Sequence, residues 1–566
     1  MRKIAIGYDD FAKLRKNNCF YVDKTWFIKE WWENFDFATL ITRPRRFGKT
    51  MTISMLEHFF SIEYAGSGAL FEGLFIWEEE KYQKLQGTYP VISVSFANVK
   101  ENTYDLAREK ICAIIANLYV KHSYLLKSDK LLETEKQEFE QLVQKKGKMS
   151  DAVMTMAIHR LCDYMKRYYG KDVILLLDEY DTPMQEAYVY GFWKELVAFT
   201  RSMFNSMFKT NPYLERGIMT GITRVSKESI FSDLNNLEVV TTTSNKYETS
   251  FGFTEEEVFA ALEEAELSDK REEVKRWYDG FTFGSYTDIY NPWSILNYLD
   301  KKSLRTYWAN TSSNNLVGKV IREGNSKIKM TLEELIQGKT MITNLDEQIV
   351  FNQLDTNQDA IWSLLLASGY LKVVKSEFNV KSRRYLYELK LTNLEVQIMF
   401  EDMIEGWFRE SKGAYNDFIK AFLQGDLEEM NAYMNEVVLA TFSYFDTGAG
   451  ISERRKPESF YHGFVLGIMI ELKDSYYITS NRESGYGRYD VMLEPMEPEK
   501  TAFVLEFKVQ NKEAEATLKD TVAVALKQIE DKKYDTELNA RGIPSERIRH
   551  YGFAFCGKEV FIGTDK

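Results

Sequence analysis

Short apolar runs alternate with helix-forming stretches over the N-terminal part of the chain. In the segment from about Lys49 to Phe60, for example, the apolar residues recur with helical spacing. Runs this short that are rich in β-branched and aliphatic residues are typical of buried strands. Strands that alternate with helices form parallel sheets covered on both faces. The pattern therefore predicts an α/β domain with strands at 37–42, 91–99, 173–177, 217–223 and 237–243.

The pattern changes near Phe253. Thr254, followed by three glutamates, is typical of a helix start with an N-cap hydroxyl and an acidic first turn. Helical periodicity then continues to about Leu439. One alternation of polar and apolar residues, around Ser376–Leu391, interrupts it and predicts a hairpin. We therefore expect a mainly helical middle region.

A second α/β pattern follows the glycine-rich segment Thr447–Gly450. It predicts a helix at about 456–472, strands at 475–481, 488–494 and 501–508, and a helix at about 512–533. A hinge near 445–452 is the best boundary. The chain is thus predicted to have three parts, at residues 1–252, 253–445 and 446–566.

Composition and cysteine spacing constrain the class of protein. The 566 residues include 44% hydrophobic and 28% charged residues, which is ordinary for a globular protein. The four cysteines lie too far apart for a zinc cluster or a disulfide framework, and this fits a reducing compartment. We find neither a signal peptide nor a run of the ~20 apolar residues that a membrane span needs. We therefore expect a cytoplasmic protein without a membrane partner.

The formal net charge of −12 argues against a surface that is basic all over. The charge is unevenly divided, because residues from 451 onwards carry 18 Lys+Arg and 20 Asp+Glu. Most of the acidity therefore lies in the preceding part. Any contact with nucleic acid is expected to be local.

A candidate phosphate-binding loop runs from Arg43 to Thr50, with the sequence Arg-Pro-Arg-Arg-Phe-Gly-Lys-Thr. It lies between a predicted strand and a predicted helix, where backbone N–H groups can converge on phosphate. Gly48, Lys49 and Thr50 supply the second half of the Gly-x-x-x-x-Gly-Lys-[Ser/Thr] pattern, but Arg43 replaces its first glycine. An arginine-rich turn without a ligand is the alternative for this segment alone.

The predicted strand at 173–177 ends in Asp178 and Glu179. In phosphate-loop NTPases, one carboxylate at such a position helps to hold Mg²⁺, and the next lies near the attacking water. We therefore expect Asp178 to bind the metal and Glu179 to be the general base. A solvated strand end is the alternative for an isolated acidic pair.

Arg224 follows another predicted strand and is a candidate for neutralising charge on the γ-phosphate. Its alternative is an ion pair with Glu228 or Asp233. If this arginine acts in trans, the protein must form a homo-oligomer.

The C-terminal part carries a candidate metal-nuclease core of Asp490, Glu506 and Lys508. The two-residue period of a strand places Glu506 and Lys508 on one face. Asp490, on the preceding predicted strand, can supply the second carboxylate if that strand is adjacent. Carboxylates that converge on Mg²⁺, with a cation beside the attacking water or the phosphate, are what phosphodiester hydrolysis requires. An outward polar face with a cross-strand Asp/Lys pair is the alternative.

Residues on either side of this core are further candidates. On the predicted helix before it, Glu458 can supply another carboxylate, and His462 lies on the same face. Arg488 should share the face of Asp490 and contact phosphate. Gln528 and Tyr534, which follow the core, resemble the Gln…Tyr motif that some members of the PD-(D/E)XK nuclease superfamily use near DNA. The resemblance implies that Gln528 would hydrogen-bond nucleic acid or orient the site. A packed helix residue is the alternative for His462, and an ordinary polar helix face is the alternative for Gln528.

Five motifs together resemble the AAA-ATPase-like family of bacterial proteins. They are Phe-Tyr-Val-Asp-Lys-Thr at 20–25, the loop at 43–50, Leu-Leu-Asp-Glu-Tyr-Asp at 176–181, Gly-Ile-Thr-Arg-Val-Ser-Lys at 221–227 and Trp-Tyr-Asp-Gly-Phe at 277–281. In that family the ATPase is commonly followed by a PD-(D/E)XK nuclease-like domain, and the Asp490, Glu506 and Lys508 spacing is similar to the core of that superfamily. The resemblance extends over almost the whole chain, and Arg-Pro-Arg-Arg is the family's own variant of the loop.

This resemblance implies an N-terminal phosphate-loop ATPase domain, a helical lid or linker, and a C-terminal nuclease-like domain. It implies ATP and Mg²⁺ as cofactors. The nucleotide would be bound by Arg46, Phe47, Gly48, Lys49, Thr50, Asp178 and Arg224, and the metals by Thr50, Asp178, Asp490 and Glu506. Asp23 and Lys24 match the family's N-terminal motif without an assigned role, and a structural role is at least as plausible.

The leading hypothesis is an ATP-binding and ATP-hydrolysing protein coupled to a Mg²⁺-dependent nuclease that acts on DNA, in mobile-element or defence biology. Glu179 would serve hydrolysis of ATP, whereas Asp490, Glu506, Lys508 and Glu458 would cut DNA. One alternative is an ATP-regulated scaffold that binds nucleic acid or protein through an inactive nuclease-like fold. Another is a scaffold that binds ATP and hydrolyses it poorly.

Overall fold

The structure is a computed structural model. It describes residues 2–146, 148–209, 211–223, 236–309, 317–318, 321, 326–336, 338–345, 360–381, 383–409, 414–441, 465, 469, 472–473, 475–480, 483–484, 487–497, 499–512, 514–556 and 559–565. The chain divides into two compact units, Met1–Val317 with Thr340–Gln397, and Gly318–Lys339 with Ile398–Lys566. The three-part division stays a prediction, and its hinge near 445–452 lies outside the described residues.

A five-stranded sheet forms the centre of the first unit. Its strands are β1 (Ala38–Thr42), β2 (Val91–Ser95), β3 (Val173–Asp178), β4 (Leu214–Gly221) and β5 (Leu237–Val240), in the order β2-β3-β4-β1-β5. All neighbours are parallel, and β1 and β3 are buried along their whole length. The predicted α/β sheet is therefore confirmed, although β2 ends at Ser95 and not at Val99.

Helices cover this sheet and make up much of the remaining structure. The described α-helices of the two units are α1 (Phe11–Lys16), α2 (Trp26–Glu33), α3 (Lys49–Phe60), α4 (Glu80–Leu85), α5 (Tyr104–Lys121), α6 (Glu133–Gln144), α7 (Asp151–Met154), α8 (Ala157–Tyr169), α9 (Thr182–Tyr190), α10 (Trp193–Phe204), α11 (Glu255–Glu264), α12 (Arg271–Tyr278), α13 (Pro292–Lys301), α14 (Ser326–Ile336), α15 (Ala360–Ala367), α16 (Leu394–Arg409), α17 (Ala414–Gln424), α18 (Leu427–Thr441), α19 (Leu518–Lys532) and α20 (Thr536–Ala540). Among them we find no candidate for a membrane span.

Two small antiparallel sheets complete the first unit, where the sequence predicted a single hairpin. One has the order β6-β8-β7 and contains β6 (Phe253–Thr254), β7 (Phe281–Phe283) and β8 (Tyr286–Tyr290). The other has the order β10-β11-β9 and contains β9 (Met341–Thr343), β10 (Leu371–Asn379) and β11 (Arg384–Leu391). The predicted hairpin is present as β10 and β11. Strands β6 to β9 have at most five residues, which is too few for a recognisable alternation.

Asp23 and Lys24 connect the N-terminal segment to the rest of the first unit. Asp23 accepts hydrogen bonds from the backbone N–H of Thr25 (2.8 Å) and of Phe75 (2.7 Å). Lys24 is 9% exposed, and its Nζ lies 2.7 Å from a carboxylate oxygen of Glu257 in the first turn of α11. It also donates to the carbonyl of Thr249. A buried ion pair of this kind is costly to break, so these contacts support a structural role for both residues.

The second unit contains a mixed five-stranded sheet. Its strands are β12 (Tyr476–Ser480), β15 (Val491–Pro495), β16 (Ala502–Val509), β17 (Ile548–Cys556) and β18 (Glu559–Thr564), in that order, and the ribbon of β13 (Glu483–Ser484) and β14 (Gly487–Arg488) lies between β12 and β15 in sequence. Only the pair of β16 and β17 is parallel among these described strands. The three predicted strands and the helix after them are confirmed, whereas the predicted helix at 456–472 falls mostly outside the described residues.

Two asparagines of α18 cover the outer edge of β18. The side chain of Asn431 donates to the carbonyl of Ile562 (3.0 Å) and accepts from its N–H (2.7 Å). Asn435 does the same with Val560, at 2.8 and 3.0 Å. Because Val560 and Ile562 are two residues apart, both pairs lie on the strand edge that faces away from β17. The helix therefore satisfies the backbone groups that an edge strand leaves open.

His550 of β17 gives the second unit a predictable pH dependence. Its Nε2 lies 2.8 Å from Asp535 and its Nδ1 2.5 Å from Asp565. Burial lowers the pKa of His550, but the hydrogen bonds to the two carboxylates outweigh it and raise the pKa to about 9. The unfolded pKa is near 6.5, so the stabilisation is complete below about pH 6.5 and is lost as the pH rises towards 9.

We expect the melting temperature of the second unit to decrease as the pH rises from 6.5 to 9. The free energy of unfolding should drop by about 3 kcal/mol over this range. In His550→Gln that pH dependence should be much weaker. Calorimetry across this range tests the prediction, with His159→Gln in the first unit as the control. Equal pH dependence in wild type and His550→Gln would contradict it.

Candidate nucleotide and nuclease sites

The predicted phosphate loop joins the end of β1 to the start of α3. Gly48 stands at the N-cap of α3 with φ of 83°, a left-handed conformation that favours glycine. The first N–H groups of α3 have no partner within the helix, and they point out of its N-terminus. This geometry is the one that binds phosphate at a helix start.

The side chain of Lys49, the first residue of α3, reaches back to the start of the loop. Its Nζ donates to the carbonyls of Arg43 (2.9 Å) and Pro44 (2.8 Å). Burial lowers the pKa of Lys49, while the nearby carboxylates of Glu179 and Asp178 act in the opposite direction. The ammonium is thus held against the loop backbone by bonds that an arriving phosphate can replace.

Arg43, which replaces the first glycine of the pattern, is fully buried. Its guanidinium donates to the carbonyls of Thr42 (2.9 Å) and Thr241 (2.7 Å), and it lies 4.5 Å from the ring centre of Phe283. Burial lowers its pKa to about 9. The arginine therefore ties the loop to the segment after β5, which explains structurally why a large side chain stands at this position.

The remaining loop side chains pack against the protein. Phe47 is buried, with its ring 4.7 Å from that of Phe281, the last residue of the Trp-Tyr-Asp-Gly-Phe motif. The guanidinium of Arg46 lies 4.1 Å from the ring centre of Trp293. Both residues were predicted to bind the nucleotide. Since their side chains are engaged in this way, their backbone N–H groups are the parts suited to contact a phosphate.

The carbonyl of Arg45 accepts hydrogen bonds from the indole of Trp308 (3.0 Å) and the side chain of Asn291 (3.3 Å). Trp308 is held in turn by the buried Glu395 of α16, which accepts from its backbone N–H at 2.6 Å and from Ser294 at 2.8 Å. Burial raises the pKa of Glu395 to about 7, against the effect of these hydrogen bonds. The shape of the phosphate loop thus depends on residues far along the chain.

Thr50 and Asp178 meet at the predicted metal position. Thr50 Oγ1 donates to Asp178 Oδ2 at 2.7 Å, and Thr220 of β4 donates to the other carboxylate oxygen at 2.5 Å. Burial raises the pKa of Asp178, and the two hydroxyls act in the opposite direction. Mg²⁺ is bound by oxygen ligands, and a hydroxyl and a carboxylate can supply two of them beside water and phosphate oxygens. Thr50 and Asp178 are therefore suitable ligands for Mg²⁺.

Glu179 follows Asp178 with φ of 50°, which is strained for a residue other than glycine. Its carboxylate accepts from Thr182 Oγ1 at 3.0 Å. Next along the chain, the buried Asp181 accepts from the backbone N–H groups of Ile222 (3.0 Å) and Thr223 (2.8 Å). Asp181 therefore fixes the turn after β4 that leads towards Arg224, which itself lies outside the described residues.

The predicted nuclease residues come together in the second unit. Asp490 precedes β15, and its Oδ2 accepts from the backbone N–H of Phe507 on the neighbouring β16 at 2.8 Å. Glu506, 1% exposed, lies on β16 and accepts from Lys508 Nζ at 3.1 Å. Gln528 of α19 also donates to Glu506, and its amide lies 3.2 Å from the hydroxyl of Tyr534.

Two carboxylates, one just before β15 and one on the adjacent β16, fit a divalent cation, because Mg²⁺ prefers carboxylate oxygens. Lys508 beside them supplies the cation that the chemistry needs near phosphate or water. Glu458 and His462 lie outside the described residues, and the side chain of Arg488 is not described. Their predicted roles stay predictions.

Four residues of these arrangements were not identified from the sequence: Thr220, Asp181, Trp308 and Glu395. Thr220 had a signal, since it is a hydroxyl residue in an otherwise apolar strand one residue before the Gly-Ile-Thr-Arg motif. Asp181 closes the quoted Leu-Leu-Asp-Glu-Tyr-Asp motif. Trp308 and Glu395 carry no local signal, because their role depends on a distant loop.

Comparison with known proteins supports both halves of this arrangement. Residues 5–231 match the family model of a predicted AAA-ATPase, and residues 456–565 match that of the PD-(D/E)XK nuclease superfamily. An uncharacterized protein encoded in the vnfD 5′ region of Azotobacter chroococcum mcd 1 is 24% identical over 557 residues, covering 96% of this chain and 95% of that protein. The motifs predicted an AAA-ATPase-like segment followed by a PD-(D/E)XK nuclease-like segment, and the two family matches confirm this.

The solved structure of the Aeropyrum pernix ORC2 protein in its ADPNP–ADP complexes is also similar in part. It covers 67% of this chain and 92% of its own, with a TM-score of 0.23 and 8% identity.

Proposed function

We propose that this chain, which joins an AAA-ATPase-like segment to a PD-(D/E)XK nuclease-like segment, is an ATP-dependent switch that controls a Mg²⁺-dependent DNA nuclease. The observation that carries the proposal is the cluster of Asp490 just before β15, Glu506 and Lys508 on β16, and Gln528 on α19. Burying the carboxylate of Glu506 costs free energy, even beside a lysine and an amide. A domain that only binds its partner gains nothing from this burial. Defence against mobile DNA, or its maintenance, would use such a pairing.

In the first unit, Lys49 would contact the phosphates of ATP, together with the backbone of Arg46, Phe47 and Gly48. Thr50 and Asp178 would hold Mg²⁺, which would neutralise charge on the phosphate oxygens. Glu179 would accept the proton of the attacking water. Thr220 keeps the Asp178 carboxylate in place, and Asp181 fixes the backbone of Thr223.

In the second unit, Asp490 and Glu506 would hold Mg²⁺, which would activate a water molecule and stabilise charge on the scissile phosphate. Lys508 would contact the phosphate or the attacking water. Gln528 holds the Glu506 carboxylate from the side of α19, which fixes the direction of its oxygens. Glu458 would supply a further carboxylate.

The test uses the full chain with supercoiled plasmid and Mg²⁺, with ATP, with a non-hydrolysable analogue, and without nucleotide. We expect cleavage that requires Mg²⁺ and differs between the nucleotide states. Lys49→Ala should weaken ATP binding roughly a hundredfold, because a lysine contact to phosphate is charge-assisted and buried. A chain that binds no ATP and cuts no DNA or RNA with Mg²⁺ would overturn the proposal.

A further inference from the structure

The hairpin of β10 and β11 differs in charge from the rest of the chain. Residues 371–391 contain six Lys and Arg against two Glu, in a protein with a net charge of −12. Three of these cations, Lys381, Arg383 and Arg384, stand at or beside the turn that joins the two strands, and all three are exposed. None of the three forms a salt bridge with a described residue. The end of the hairpin is therefore a local basic patch.

Aromatic rings stand next to these cations. Phe378 of β10 is paired in register with Tyr385 of β11, so the two rings share one face of the hairpin. Their centres are 5.3 Å apart, and the residues are 48% and 54% exposed. The ring of Tyr387 continues the row, 6.2 Å from that of Tyr385. We name Phe378, Lys381, Arg383, Arg384 and Tyr385 the hairpin tip.

Exposed rings grouped in one place are uncommon on a protein surface and mark sites of interaction. Further along β11 the same face is buried at Leu389 and Leu391, so the exposed rings are confined to the end of the hairpin. The rings are also held at a fixed separation by the paired strands. A rigid row of rings is suited to stacking on flat partners.

We propose that the hairpin tip binds single-stranded DNA, with phosphates on Lys381, Arg383 and Arg384 and bases on Phe378 and Tyr385. Lysine and arginine gain affinity by releasing the counterions of phosphates, and exposed rings stack on unpaired bases. The positive charge of the hairpin tip is opposite to the negative charge of the DNA phosphates. The choice of DNA over RNA rests on the proposed nuclease function. The proposal that the hairpin tip binds a single strand does not rest on that function.

An anionic membrane is the competing partner, because Val380 is also exposed at the turn. Proteins that insert into a membrane interface group their apolar residues on one side and set their cations behind them. Here Lys381 and Arg383 lie between Val380 and Tyr385 in the turn itself. That interruption favours a partner in which charges and flat apolar rings alternate, as they do along a nucleic-acid strand.

The experiment measures anisotropy of a labelled 30-nucleotide oligo-dT with the full chain in EDTA, so that binding is read without cleavage. Lys381→Gln/Arg383→Asn/Arg384→Gln should bind at least about tenfold more weakly and lower the slope of log K against log salt by about 2, because each contact on a single strand contributes about 0.7. Phe378→Ala and Tyr385→Ala should each weaken binding about fivefold or more with little change in that slope.

Matched controls come from the same unit. Lys127→Gln/Lys130→Gln/Lys145→Gln removes three exposed lysines elsewhere, and Tyr8→Ala with Tyr190→Ala removes exposed rings elsewhere. These variants should bind oligo-dT as the wild type does. Circular dichroism and ATP binding check that each hairpin variant is folded.

Other ligands decide between partners. Duplex DNA of the same length, oligo-U and phosphatidylserine vesicles are measured with the same variants. Oligo-dT affinity that changes less than twofold in the hairpin variants would overturn the proposal, as would a loss confined to vesicles or to oligo-U. If the hairpin variants lose binding while the wild type cuts nothing, the proposed nuclease function fails and this inference stands. If the wild type cuts DNA while the hairpin variants bind oligo-dT as the wild type does, the proposed nuclease function stands and this inference fails.

Discussion

Glu506→Gln is expected to lower Mg²⁺-dependent cleavage of DNA about a thousandfold while ATP binding stays unchanged. The substitution keeps the size of the side chain but removes the charge that would hold the metal. A bound metal contributes several kcal/mol of charge stabilisation in a transition state, and a loss of ~4 kcal/mol corresponds to roughly a thousandfold in rate. Glu506 is also the residue on which Lys508 and Gln528 converge, so its loss removes their common partner.

The measurement is the rate of plasmid nicking at saturating Mg²⁺, followed by titration of the metal. Glu497→Gln serves as the matched control, because Glu497 is an exposed glutamate of the same unit, after β15, whose Oε1 lies 3.1 Å from Nζ of Lys500. Cleavage by Glu506→Gln at the wild-type rate would show that the cut is made elsewhere or by a contaminant. Loss of cleavage together with loss of the calorimetric transition would point to unfolding, and Lys508→Met then provides the independent variant.

Glu179→Gln is expected to slow ATP hydrolysis at least about a hundredfold, because a general base typically contributes 10²–10⁴ in rate. ATP should still bind, since Lys49, Thr50 and Asp178 are untouched. The strained backbone at Glu179, with φ of 50°, belongs to the position and not to the carboxylate, and glutamine can adopt the same conformation at a similar cost.

Phosphate release and ATP binding are measured side by side, with Glu195→Gln of α10 as an exposed control in the same unit. If cleavage depends on hydrolysis and not on binding alone, Glu179→Gln should hold the nuclease in the state that the non-hydrolysable analogue produces. Phosphate release at the wild-type rate would remove Glu179 as the base. Equal loss of binding and hydrolysis would assign it to nucleotide binding.

Much of the fold was predictable because it depends on local patterns. The strand, loop and helix around Lys49 appear at the predicted residues, and α3 covers Lys49–Phe60 as expected. Thr254 caps α11 and is paired with Glu257 in a capping box. Asp490 was expected to supply a second carboxylate only if its strand was adjacent to that of Glu506, and β15 and β16 are neighbours.

What could not be predicted depends on contacts between distant residues. Arg43 replaces a glycine, and only the carbonyl of Thr241 and the ring of Phe283 show what its side chain does. Trp308 and Glu395 act on the carbonyl of Arg45, although each lies more than two hundred residues from it. The charge of the hairpin tip was hidden by averaging over the chain, because a few cations scarcely change a total of −12.

The asparagines of α18 restrict how copies of this chain can assemble. With its outer backbone groups bonded to Asn431 and Asn435, β18 offers no site at which a strand from a second copy can extend the sheet. A continuous intermolecular sheet across that border is therefore ruled out while α18 stays in place. Copies of this chain would have to assemble through contacts other than strand pairing at this edge. The nuclease-like unit is thereby protected from strand exchange at this edge in a crowded cell.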